Sequence, residues 1–174
     1  MASLDDITAL LGEPGFNCSD PAPWERLEHE LNVRFPADFR EILDAYGSVV
    51  INNQVYLDHP GHPTRDLGET IREAILLWNE GDGADEIAPH TVGSLPGQLL
   101  PVATCSQGET VFLRVPDSPS APWAVGVHEW DSFSYTPHDM PFSDWLLAYL
   151  RNEDPTMYAH DPGPEWRPFF EATA

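Results

Sequence analysis

The sequence predicts an α+β protein organised as a single domain. Three observations carry that reading. Apolar residues recur at helical spacing through the first half of the chain, strand-type patterning dominates the second half, and 174 residues with 41% hydrophobic content suffice for one core but would cramp two. A domain near this size hides roughly 70% of the surface its unfolded chain exposes.

The elements follow in order. Ser3 can cap a short helix in which Leu4, Ile7, Leu10 and Leu11 share one face; Asp5 and Asp6 suit the positive end of its dipole, and Gly12 and Pro14 stop it. A second helix is expected from Asp20, with Pro21 in the first turn, Trp24, Leu27 and Leu31 as its apolar stripe, and Asn32 as a left-handed exit. A third begins near Pro36, turns Phe39, Ile42, Leu43 and Tyr46 to one side and ends at Gly47, so two helices meet through the short turn Val33 to Phe35.

Strand patterning then takes over. Ser48 to Ile51 and Gln54 to Leu57 flank Asn52 and Asn53, a pair that tolerates the positive φ of a tight hairpin turn. A fourth helix, Leu67 to Glu80, carries Ile71, Ala74, Ile75 and Trp78 inward before Gly81, and an acidic, turn-rich loop follows. Leu99 to Thr104, Thr110 to Val115 and Trp123 to Trp130 read as strands, and an antiparallel meander is their economical connection. A last helix near Pro141 to Arg151 lays Phe142, Trp145, Leu146, Tyr149 and Leu150 on that sheet. The tail from Asn152 contains Pro155, Pro162, Pro164 and Pro168 and is expected to be an irregular strap. The domain core is thus placed at residues 20–151 and the strap at 152–174.

Charge is the least ordinary feature. There are 29 Asp and Glu against 8 basic residues, every one an arginine, for a formal net charge of −21. Such a field repels nucleic acid and anionic membranes and attracts basic partners, although acidity also serves simply to keep a soluble protein dispersed. No apolar run approaches the roughly 18 residues of a membrane span, and the opening MASLDDITALLGEPG lacks the basic start and long apolar stretch of a signal peptide, so a cytoplasmic protein is expected. Cys18 and Cys105 fit no metal-ligand spacing and are too few for a disulfide framework; they read as reduced thiols.

Motifs for chemistry are weak throughout. In DHPGHP, Asp58, His59 and His62 have ligand chemistry, but the interleaved prolines and glycine mark a loop and no matching further ligand is apparent. Gly93-Ser94-Leu95-Pro96-Gly97 has glycine directly before the serine and so is not a nucleophile elbow. GDGADE has the wrong spacing for a calcium loop, and His128-Glu129 lacks the second histidine of a zinc-protease helix. No nucleophile, base and orienting group can be assembled, so the sequence predicts no catalytic centre, no cofactor and no resident metal.

The segments WERLEHELNVRFPADFREILDAYG, INNQVYLDHP and LLPVATCSQGETVFLRV, a Trp-Ala-Val-Gly-Val strand and FSDWLLAYL together resemble the SUKH superfamily, over Trp24 to Leu150. The departure is Asn32, where that superfamily commonly has glycine. The resemblance implies an α+β fold with N-terminal helices on a mixed, largely antiparallel sheet, a C-terminal helix and no catalytic centre. Bacterial members of that superfamily are mostly immunity proteins that bind and silence a cognate toxin, often a nuclease or deaminase; others look like intracellular interaction modules. The signature residues Trp24, Leu27, Pro36, Phe39 and Tyr46 sit at core or capping spacing and explain fold, not function.

The expected function is therefore that of an immunity-type inhibitor that masks a basic toxin surface with an acidic one. Contact residues are expected first at Asp82, Asp85 and Glu86, then in the loop of Asp58 and His59, because loops carry function on rigid scaffolds. A regulatory adaptor on the same fold and an acidic mimic of nucleic acid are the alternatives.

Overall fold

A computed structural model describes residues 1–157 and 163–174. Helix α1 (Leu4–Leu11) starts at a complete capping box: the Ser3 hydroxyl accepts the Asp6 N–H while the Asp6 carboxylate accepts the Ser3 N–H at 2.8 Å. Helix α2 (Ala22–Leu31) begins two residues later than the sequence suggested, because Asp20 stays outside as a turn whose carboxylate accepts the Ala22 N–H at 3.0 Å. Its exit is as expected, with Asn32 left-handed at φ 51°. Helix α3 (Ala37–Tyr46) ends at Gly47, where φ is +75° and a Cβ would stand 2.7 Å from the Phe16 ring, so glycine is required on two counts.

Strands β1 (Val49–Ile51) and β2 (Val55–Leu57) form the expected hairpin, with Asn52 and Asn53 both at positive φ. Helix α4 (Leu67–Glu80) is capped by the Asp66 carboxylate. After a 3₁₀ turn at Asp82–Glu86 come β3 (Leu99–Cys105), β4 (Thr110–Arg114) and β5 (Ala124–Glu129) as a meander, then helix α5 (Phe142–Leu150). Two strands have no forerunner in the sequence reading. β6 (Ser134–Pro137) extends the meander, and β7 (Phe170–Ala172) pairs with β1. The strap is therefore not irregular throughout: its end is stitched into the sheet. Pro162, one of the four prolines from which the strap was read, lies outside the described residues.

The sheet runs β6-β5-β4-β3-β2-β1-β7, and each of its ladders is antiparallel; parallel contact is confined to isolated bridges, His59 with Asp66 and Val92 with Leu99. Asn52 ties the strap to the hairpin, since its main-chain N–H and side-chain oxygen both engage Phe169. The two faces of the sheet are both covered. Val111, Leu113, Val125 and Val127 lie under α1, α2, α3 and α5 with Trp24, Phe39, Phe142 and Trp145, whereas Leu99 and Phe112 face Ile75 and Trp78 of α4 and Ile87 beyond it. Helices thus sandwich an antiparallel sheet, an α+β domain of one compact unit.

Trp24 is 0% exposed, with edge-on contacts to Phe35 and Phe39. Trp24→Ala is expected to cost about 3–5 kcal/mol in denaturant unfolding; a loss below about 1 kcal/mol would show that this ring does not anchor the helices. On the α4 face, burial pushes the Tyr135 hydroxyl up from 10.0 to about 12. The folded state therefore favours the neutral phenol. The stability this contributes is fully present below pH 10.0 and is lost as pH rises towards about 12. Tyr135→Phe should flatten that alkaline fall in an unfolding series; an unchanged slope would refute it.

Candidate functional site

The chemistry-bearing residues divide into an interior group and a surface group. In the interior, Asp44 on α3 accepts two ring N–H groups on one carboxylate oxygen, from Trp24 Nε1 at 2.7 Å and His59 Nε2 at 2.9 Å. His59 Nδ1 accepts the Gly61 N–H at 3.0 Å, so the ring proton sits on Nε2 and is donated to Asp44. Its neighbour Asp58 holds Arg65 and Thr70, the latter at 2.6 Å. His62 turns away and accepts main-chain N–H groups of Thr64 and Arg65.

The side chains of Asp58 and His59, expected as the second contact region, are placed in the interior. Asp58 is 1% exposed and His59 0%, so as the chain is folded neither offers a partner any side chain. Nor do Asp58, His59 and His62 form a ligand set, because each faces different partners. One group among the described residues does bring metal-ligating atoms together: Cys18, Asp44 and His59 lie within 4.8 Å of one another. With the His59 proton directed at Asp44 and the Trp24 indole on the same oxygen, that group is a hydrogen-bond hub and not an open coordination site.

The surface group lies at the other end of the sheet. Asp82 and Asp85 in the 3₁₀ turn are exposed, as the sequence led one to expect, while Glu86 reaches inward to the buried His128, Oε2 to Nε2 at 2.6 Å. Beside them stand three large apolar side chains in the solvent: Leu77 of α4 is 73% exposed, and Trp130 and Phe133 of the β5–β6 turn are 53% and 60% exposed. The two rings lie 5.9 Å apart, and Phe133 has a left-handed backbone at φ 51°. An apolar centre with an acidic margin has the anatomy of a protein-binding surface.

Sequence reading missed Leu77, Trp130 and Phe133. The signal was present in the run HEWDSFSY, where aromatics alternate with acids and serines in a way no buried strand would, but it lies more than 40 residues from the acidic turn it joins. A second, larger cleft, about 1200 Å³, runs between the α2–α3 turn and the Pro116–Pro119 loop. One of its arginines, Arg40, is already held by Glu28 at 2.9 Å and lies over the Trp24 ring.

Asp44→Ala strips the acceptor from two buried ring donors and should cost about 2–4 kcal/mol, whereas Asp44→Asn, which keeps an oxygen there, should cost less. Equal losses in chemical denaturation would mean that the carboxylate contributes through its charge alone.

Comparison with curated proteins and with solved structures returns no match. A family model described as SMI1-KNR4 cell-wall matches residues 22–146, from the start of α2 into α5 and across every strand except β7. Helix pair, hairpin and meander thus fall inside one match that ends within the closing helix, and the chain belongs to this SUKH family.

Proposed function

We propose that this protein is an immunity-type inhibitor that acts by binding, not by catalysis, and that its partner is a basic protein toxin of the nuclease or deaminase kind. The observation that carries the reading is the Leu77, Trp130 and Phe133 patch beside Asp82 and Asp85, on a chain with a net charge of −21. Membership of the SUKH family supports it, because immunity proteins are frequent among bacterial members. The division of labour follows from physics. Distant acids draw a cationic partner in and stand where its active site expects phosphates, and desolvated aromatics then hold it. In this reading Asp58 and His59, being interior, shape the scaffold. The chain would meet its target in the cytoplasm.

The test begins with recovery of a toxin from the native host using the full chain as bait, followed by surface binding kinetics. Association should exceed the roughly 10⁵–10⁶ M⁻¹s⁻¹ of unsteered pairs. It should also slow sharply with salt as the Debye length falls from about 10 Å at 0.1 M to about 3 Å at 1 M, while dissociation changes less. Replacing Asp82, Asp85 and Glu86 together by Asn, Asn and Gln should slow association and weaken protection of cells. A triple variant that associates and protects like the wild type at low salt would rule this margin out of the interface.

A further inference from the structure

Behind the exposed patch, α4, the 3₁₀ turn and the β4–β5 ladder enclose a cleft of about 260 Å³. That is below the roughly 300–1,000 Å³ typical of sites for whole small molecules, and suits a single side chain. We infer that the cleft is the receptor for one arginine side chain of the partner, held between Trp78 and Trp130 and neutralised by the adjoining carboxylates. The inference rests on the reading that the partner is a basic protein and names the group by which it is gripped.

Three features select a guanidinium. The Trp78 and Trp130 rings both line the cleft, and indole is the best aromatic surface for a planar cation. Asp82 stands at its lip, while Glu86 lies one hydrogen bond further in, behind His128. His128 itself is 0% exposed and forms part of the wall, yet its Nδ1 has no hydrogen-bond partner among the described residues. Arginine brings five N–H donors and no acceptor, which is the complement of a site made of carboxylates and aromatic rings.

Glycine keeps the cleft open on two sides. A Cβ at Gly83 would stand 2.8 Å from the Trp78 ring, and Gly108, at φ +95°, brings its backbone close beneath Trp130. Outside, Leu77 supplies apolar cover that would exclude water from the bound cation, which strengthens its attraction to the acids. A nucleobase would also stack on tryptophan, but it would arrive with phosphates that a field of −21 repels.

The probe is Nα-acetyl-arginine amide, added to the full ¹⁵N-labelled chain, with the corresponding lysine and citrulline amides alongside. Citrulline keeps the shape of arginine and removes the charge. Arginine amide should shift the Trp78 and Trp130 indole signals and the His128 ring nitrogens along a saturable curve. Citrulline should bind at least about tenfold more weakly, lysine should fall between them, and Trp130→Ala should abolish the response. Trp130 is more than half exposed, so this variant should fold, and an unchanged amide spectrum away from the β5–β6 turn verifies that it does. Equal shifts from arginine and citrulline, or linear shifts spread over the surface, would overturn the inference.

A captured partner separates the two ideas. If Trp130→Ala binds it within twofold of wild type while the Asp82, Asp85 and Glu86 variant loses binding, the arginine receptor is wrong and the basic-partner reading stands. If arginine amide saturates the cleft but the captured partner is not basic, the receptor stands and that reading fails.

Discussion

One carboxylate holds the architecture in register. Asp44 offers a single oxygen to the indole of α2 and to the imidazole that follows β2, and its main-chain carbonyl accepts the Cys18 N–H at 2.7 Å. The segment before α2, α2 itself and the loop after β2 therefore converge on one residue of α3. The arrangement is self-enforcing, because any other packing leaves two buried ring donors without an acceptor. Its reach extends to the opposite face of the sheet. His59, once fixed, accepts the Leu67 N–H on its carbonyl and donates its own to Ser48, whose hydroxyl in turn holds Arg65. The start of α4 is set by these contacts, and with it the direction in which Leu77 and Trp78 project.

The covering of the sheet explains why the candidate surface lies where it does. On one face four helices leave little of the ladder bare. On the other α4 crosses near β3, and the far ends of β4 and β5 are met by Trp78 at the end of α4 and by Glu86 of the 3₁₀ turn. The β1 edge is occupied by β7, while the β6 edge is short and ends in Pro137, which can donate no ladder hydrogen bond. What remains open is the corner where the β5–β6 turn rises beside α4. Tyr135 closes the floor there, and it can lie across the strand because Gly126 has no Cβ to collide with its hydroxyl.

Much of the fold was legible because local chemistry and tertiary packing agree. Ser3, Asn32, Gly47, the Asn52–Asn53 pair and the bounds of α4 are read from residues that have few other conformations to serve. β6 and β7 were not, because none of their residues is fully buried, β6 shows no apolar alternation and β7 is only three residues long; they are specified by what they pair with. The site divides in the same way. Exposure of Asp82 and Asp85 follows from composition, whereas burial of Asp58 and His59 depends on Arg65, Thr70 and Asp44, which no local pattern reveals. Trp130 and Phe133 were hidden for the opposite reason: an aromatic bound for the core and one left in the solvent are the same letter.

The exposed apolar corner raises a question of colloidal behaviour. Four of the eight arginines, Arg40, Arg65, Arg72 and Arg114, are engaged by acids of their own chain, so the surface shows few cations to a second copy. Two such molecules repel one another before Leu77, Trp130 and Phe133 can meet. The acidity then acts as a chaperone built into the surface, one that keeps a sticky patch from closing on its own copy. Its protection is conditional. As pH falls towards the isoelectric point near 4.3, or as salt screens the field, like molecules lose their mutual repulsion while the patch stays apolar, and self-association begins at this corner.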